Sequence, residues 1–295
     1  MGVGYAGAMR CWIAVGLAIA SSGCNTVFGL EPTVALDAAA SSDASPDRDD
    51  DGVLNEVDIC PEVSDPAQHD EDGDGTGDAC DPCALDPSTT GDGDGDGIDD
   101  ACDPRPAAAD CLVLFDSFVG FASTDWEQVA GSMVIPQPGA VRLVTPAPRT
   151  GLRPATISGP HSLRARFVAP SFAGGDHLRL LGSSMVSNSD IGHGCWIDAA
   201  MLSLVNVVPN PVPTAPFSAI LGPSDTLVVS MIHDAPTTFA CAVARATEDL
   251  RLSRAIQQSP GGNQPLIVVV GGEITMTALA VYAAQVGTCP APVIR

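Results

Sequence analysis

Positive charge is scarce in this chain. Of 295 residues only 13 are Lys or Arg, against 36 Asp or Glu, for a formal charge of −23. That deficit argues against nucleic acid as a partner, because phosphate binding needs clustered cations. It argues equally against adsorption to an anionic membrane by charge. Aromatic residues make up only 4%, which leaves few stacking platforms. The apolar run at residues 11–20 falls short of the ~20 residues a spanning helix needs. No Gly-x-Ser-x-Gly elbow is present. Also missing is a Glu-x-Asp-x-x-Glu or Glu-x-Asp-x-Glu carboxylate cluster of the kind glycoside acid/base chemistry uses.

What the chain has is acid in one place and cysteine throughout. Between residues 43 and 103 about every third residue is Asp or Glu, and Arg48 is the only cation. A solvated linker is the bland reading of such a block. Ten cysteines imply an oxidising compartment. The start agrees: Met9-Arg10, the apolar run and Ser21-Ser22-Gly23-Cys24 describe a secretory signal. The eight residues before Met9 add no positive charge, so Met9 is a candidate start. Residues 1–23 then form the signal peptide and 24–46 an Ala/Ser/Asp-rich flexible tether. Residues 47–104 form an array of three similar acidic units, 105–110 a short Pro/Ala linker, and 111–295 an apolar region broken by Gly and Pro.

The spacing of the acids overturns the linker reading. Asp47, Asp49, Asp51, Asn55 and Asp58 fill positions 1, 3, 5, 9 and 12 of a twelve-residue frame with Gly52 at position 6. Asp70, Asp72, Asp74, Asp78 and Asp81 with Gly75 fill it again, and Asp92, Asp94, Asp96, Asp100 and Asp103 with Gly97 a third time. This is the ligand spacing of an EF-hand calcium loop, with backbone carbonyls expected from Val53, Thr76 and Ile98 at position 7. Alternate residues in a curling loop turn successive carboxylates inward, and calcium takes about six to eight oxygens. Each carboxylate pair ~6 Å apart in water repels by ~0.7 kcal/mol, so cations should compact the segment. Cys80-Asp81-Pro82-Cys83 is the rival zinc or redox motif, but no second Cys-x-x-Cys exists to complete a zinc site.

Position 12 is Asp rather than Glu, and the cysteines inside and after the loops preclude flanking helices. With Cys60-Pro61, Asp78-Ala79-Cys80-Asp81 and Asp100-Ala101-Cys102-Asp103 the segment resembles the thrombospondin type 3 repeat. That resemblance implies several calcium ions, little regular secondary structure, and disulfides between successive cysteines, Cys60–Cys80 and Cys83–Cys102. The residues ending at Cys24 resemble the bacterial lipobox, with Ser21 where Leu is preferred. This implies lipidation of Cys24 and a membrane anchor; Asn25 after it implies the outer membrane.

The last region is read as strands. Leu163-Arg164-Ala165-Arg166-Phe167 and Leu178-Arg179-Leu180 alternate with period two, and residues 226–232, 265–270 and 274–282 are β-rich apolar runs. Residues 247–258 read as one short helix or a charged loop. Many short strands argue for a mainly β, antiparallel sandwich. Phe115-Asp116-Ser117-Phe118, Asp125-Trp126, Gly131-Ser132-Met133 (Met133 where Trp is common), Pro138-Gly139 and the closing Gly271-Gly272-Glu273-Ile274 resemble concanavalin A-like, laminin-G-like jelly rolls. The resemblance implies sugar binding as the default activity. First and last strands of a jelly roll are commonly neighbours, which implies Cys111–Cys289 and leaves Cys195–Cys241; Cys102–Cys111 is the rival pairing.

Trp126 and the Phe residues are expected in the core, and Trp196 is the candidate stacking residue. Asp176, Asp190, Asp198, Glu248, Asp249 and Glu273 are scattered, as are His161, His177, His193 and His233, so catalysis is not expected. The leading expectation is a lipid-anchored, calcium-binding cell-surface adhesion or recognition protein, its array a stalk and its sandwich the head, with a glycan or surface protein as partner. The alternatives are a secreted glycan hydrolase with a calcium-stabilised spacer, and a structural envelope protein that binds calcium alone.

Overall fold

The computed structural model describes residues 46–87, 90–119, 121, 124–129, 133–144, 150–154, 161–182, 193–205, 212–234, 238–255 and 265–295. The expected signal peptide, Cys24, the tether up to residue 45 and Asp190 lie outside them.

In chain order the strands are β1 (Asp110–Asp116), β2 (Trp126–Val129), β3 (Met133–Gln137), β4 (Ala140–Val144), β5 (Thr150–Pro154), β6 (His161–Ser171), β7 (His177–Gly182) and β8 (His193–Asp198). They continue with β9 (Met201–Val205), β10 (Thr214–Pro216), β11 (Thr226–Asp234), β12 (Thr238–Arg245), β13 (Glu248–Ala255), β14 (Pro265–Val270), β15 (Glu273–Ala284) and β16 (Val293–Ile294). One sheet runs β13-β12-β11-β6-β15-β1-β16, with β4 on β15 and β3 on β4; the other runs β10-β9-β8-β7-β14-β5-β2. Among the described strands only the short β16 pairs in parallel, with β1; the strands otherwise form an antiparallel jelly-roll sandwich.

Period-two alternation builds the core. On β6, Leu163, Ala165 and Phe167 point inward and are buried, and on β7 Leu178 and Leu180 do the same from the opposite sheet. Val229, Met231, Ile197 and Leu204 join them in one apolar cluster. The disulfide between Cys195 on β8 and Cys241 on β12 crosses that core. Trp126 is buried as expected, its Nε1 donating to Asp116 Oδ2 at 2.8 Å.

Three expectations need correction. Residues 248–255 form neither helix nor loop but β13, paired with β12 along its whole length. Leu250 and Leu252 pack on the core while Asp249 and Arg251 face solvent, and this alternation outweighs the local charge. Residues 105–110 are no free linker: Asp110 opens β1, and Arg105 binds its carboxylate at 2.7 Å. The array is not a projecting stalk either. It lies along the outer face of the β6-β15-β1 part of the first sheet. There Cys83, Ala84, Leu85, Ile98 and Cys102 pack with Phe115, Ala278, Ala280 and Tyr282 in a second apolar cluster.

A β-bulge makes that second cluster. The β15–β6 register shifts between Met276 and Ala278, which reverses the parity of the strand. Before it Ile274 and Met276 face the sandwich core; after it Leu279 and Val281 do, and Ala278, Ala280 and Tyr282 turn out to the array. The Tyr282 hydroxyl donates to the Pro82 carbonyl at 3.0 Å. Arg164 pairs with Asp86 at 2.7 Å and Arg166 with Glu71 at 2.9 Å. Burying Leu85 and Ile98 contributes about 1.5–3 kcal/mol each, and the arginines add bonds to the array backbone, Arg164 to the Ala101 carbonyl and Arg166 to the Glu71 and Leu85 carbonyls. The apolar contact holds the array, and the arginines set its place.

Candidate metal centre

Residues 46–109 contain neither strand nor helix among the described residues. Their conformation is set by carboxylates bonding to their own backbone. The pattern recurs in each loop. The position 1 carboxylate accepts from the position 6 glycine N–H: Asp47 from Gly52 at 2.9 Å, Asp70 from Gly75 at 3.0 Å, Asp92 from Gly97 at 2.9 Å. Position 3 accepts from the N–H of position 5, in Asp49–Asp51, Asp72–Asp74 and Asp94–Asp96. Position 5 accepts from position 7, through the N–H groups of Val53, Thr76 and Ile98 at 2.7–2.8 Å. The turn needs glycine at position 6, where Gly52, Gly75 and Gly97 have φ of 95°, 96° and 92°.

This folding brings positions 1, 3 and 5 together. Within each of the groups Asp47/Asp49/Asp51, Asp70/Asp72/Asp74 and Asp92/Asp94/Asp96, one carboxylate oxygen per residue lies within 4.8 Å of the others. Positions 9 and 12 stand outside these groups. At position 9, Asn55, Asp78 and Asp100 fold back on the N–H of position 2, in Arg48, Glu71 and Gly93. At position 12, Asp58, Asp81 and Asp103 accept from the N–H of position 14, in Cys60, Cys83 and Arg105.

The second oxygens test whether a cation fits. Oδ2 of Asp49, Asp72 and Asp94, position 3 in all three loops, is buried without a hydrogen-bond partner, as are Oδ2 of Asp58, Asp78 and Asp81. Burying an anionic oxygen unpaired is costly, and burial pushes the carboxyls of Asp78 and Asp81 up to about 6. Burial also raises Asp103, helped by the charges of Asp110 and Asp96. Hard oxygen donors converging in this way suit a cation such as calcium.

Disulfides join Cys60–Cys80, Cys83–Cys102, Cys111–Cys289 and Cys195–Cys241. The rival Cys102–Cys111 bond does not form, and no thiol is left at Cys80 or Cys83 for zinc.

In the sandwich, Trp196 is not an open platform. Its ring stacks on His177 at 3.6 Å between centroids, with the Arg179 guanidinium 4.4 Å from the ring centroid. Arg179 Nε donates to His177 Nε2 at 2.9 Å. Four of the scattered carboxylates have structural partners: Asp176 takes the Ala173 N–H, Asp198 the Ala200 N–H, Glu248 the Ser218 N–H and hydroxyl, and Glu273 pairs with Arg142. Sequence reasoning missed the joint residues Arg164, Arg166, Asp86, Tyr282, Arg105 and Asp110. One signal was on offer, the unbroken apolar stretch 278–284, which suits a strand covered on both faces.

No protein-family model and no curated protein matches the chain. Among solved structures it is similar to a Bacillus licheniformis beta-glucanase, at 10% identity over 58% of this chain and 98% of that one, with a TM-score of 0.44. It is also similar to a legume lectin-like domain from Entamoeba histolytica, at 11% identity over 56% and 92%, TM-score 0.40. A third is the carbohydrate-binding module CBM66 from Bacillus subtilis, at 9% identity over 52% and 92%, TM-score 0.39. The functional reading rests on the chain's own loops.

Proposed function

We propose that this chain is a calcium-binding cell-surface protein, anchored in the outer membrane by lipid on Cys24, whose sandwich serves recognition or adhesion rather than catalysis. One observation carries the calcium reading: the same position 3 oxygen, of Asp49, Asp72 and Asp94, is buried and unpartnered in all three loops, beside carboxylates held within 4.8 Å. Calcium would be held there by Asp47, Asp49 and Asp51, by Asp70, Asp72 and Asp74, and by Asp92, Asp94 and Asp96. Asp58, Asp78 and Asp81 lend further oxygens. Bound calcium supplies positive charge that offsets the crowded carboxylates. The chain's part is to hold them in place before the ion arrives, through the backbone bonds of each turn.

Asp176, Asp198, Glu248 and Glu273, occupied with turns and ion pairs, support a non-catalytic role. A glycan or a surface protein is the partner assigned to the sandwich. Calorimetric titration of the full mature chain tests the reading, with dissociation constants expected at ~10⁻⁴–10⁻³ M, the class of extracellular calcium modules. Absence of binding at millimolar calcium would refute it. An intact-mass measurement finding Cys24 unmodified would remove the anchor, and a glycan array probed with calcium present tests the partner.

A further inference from the structure

The three loops differ in what closes them. After the first, the Asp65 N–H donates to Asp51 Oδ2 at 2.8 Å, and the chain stays within the array. After the third, the corresponding oxygen, Asp96 Oδ2, takes the N–H of Asp110 at 2.5 Å. Asp110 is the first residue of β1 and only 2% exposed.

Position 14 changes in parallel. In the first two loops it is Cys60 and Cys83, each bonded to position 11 of the next loop, Cys80 and Cys102. In the third loop it is Arg105, which binds the sandwich instead. Its Nε and Nη2 donate to the Asp110 carboxylate at 3.0 and 2.7 Å, and Nη2 also to the Ala109 carbonyl at 2.7 Å. Its own N–H donates to Asp103 Oδ1 at 2.7 Å. Positions 5 and 12 of the third loop are therefore both tied to one residue of β1, next to the Cys111–Cys289 bond. The second loop meets the sheet through Glu71–Arg166 and, just after it, Asp86–Arg164. The first leaves Leu54 and Val57 exposed.

We propose that Asp110 and Arg105 act as positioning residues that make calcium occupancy of the third loop and the order of the β1–β15 edge one linked equilibrium, while the first loop fills independently. The proposal rests on the calcium reading above. Linkage is reciprocal: if an ordered β1 edge favours the ion, the ion stabilises the edge by the same factor.

The test uses the full mature chain, with calcium titrated calorimetrically and amide exchange followed in β1 and β15. In the wild type, saturating calcium should slow exchange across both strands. Asp110→Asn should weaken one site about fivefold or more, in the range of ordinary coupling, and abolish the calcium effect on β1. Asp51→Asn, which alters a first-loop carboxylate, should weaken a different site and leave that effect intact. If Asp110→Asn does not fold, Arg105→Gln, which leaves Asp110 in place, should show the same uncoupling. No calcium binding in the wild type would sink the calcium reading and the linkage together. Calcium binding with unchanged β1 exchange, or a calcium effect that survives both Asp110→Asn and Arg105→Gln, would leave the calcium reading standing and overturn the linkage.

Discussion

Gly52, Gly75 and Gly97 show how far single residues decide the loops. Position 4 is also left-handed, with φ of 60° at Asp50, 80° at Gly73 and 81° at Gly95. An L side chain in that region costs about 1–2 kcal/mol, so Gly75→Ala should destabilise the calcium-loaded array by about that much. Asp50→Gly should come out near neutral, because relief of strain opposes about 0.4–1 kcal/mol of extra unfolded-state entropy. Denaturant midpoints at saturating calcium compare the two; equal losses would contradict the argument. His177 supports a second residue-level expectation. Its Nδ1 donates to the Gly175 carbonyl at 2.9 Å and its Nε2 accepts from Arg179, so the contacts hold the neutral ring. Burial pushes its pKa down, as does the Arg179 charge. A depressed histidine pKa lets the unfolded chain take the proton first, so its stabilising share is present above about pH 6.5 and lost as pH falls below it. The urea midpoint should drop more between pH 7.5 and 5.5 in the wild type than in His177→Gln.

Among the elements, alternation and apolar runs made five of the sixteen described strands legible: 163–167, 178–180, 226–232, 265–270 and 274–282 all fall within observed strands. The loops were legible too, since carboxylates at fixed spacing with glycine at the turn carry their geometry locally. What alternation could not convey was the bulge in β15, since a parity switch depends on pairing with β6 rather than on composition. The consequence is testable at Ala280, buried beneath the array at 2% exposure. Ala280→Leu inserts volume between array and sheet without touching the sandwich core, at a cost of about 1–3 kcal/mol typical of overpacking. Proteolysis within residues 46–109 should accelerate while the near-ultraviolet spectrum of the sandwich is kept. Arg164→Ala should do less, because it leaves the apolar contact of Leu85 and Ile98 with the sheet in place. A larger effect at Arg164 would show that charge, not packing, holds the array.

For the whole molecule, docking turns two sequence regions of opposite character into one body, and sequence composition hid this because the acidic loops look self-sufficient. Ala84, Leu85 and Ile98, with the Cys83–Cys102 disulfide, are the apolar groups that the array lays on the sheet. The disulfides divide along the same line. Sequence separations of 20 and 19 within the array correspond to about 3 kcal/mol each in the chain-entropy model, and the separation of 46 at Cys195–Cys241 to about 4 kcal/mol. The two kinds should act on different properties. The double variant Cys195→Ala with Cys241→Ala removes a bond wholly inside the sandwich core, so it should lower the urea stability of the sandwich by about 4 kcal/mol while calcium stoichiometry is unchanged. Cys60→Ala with Cys80→Ala removes the covalent tie between the first and second loops, leaving the Gly77 N–H bond to the Ile59 carbonyl at 3.1 Å and the Gln68 side-chain bonds to Ile59 N–H and Asp58. Calcium affinity should fall for the first two loops, and sandwich stability should move little. Calorimetry and urea unfolding on both variants read the two properties separately. Loss of calcium sites in the sandwich variant would mean that the core, and not the array's own cross-links, shapes the loops.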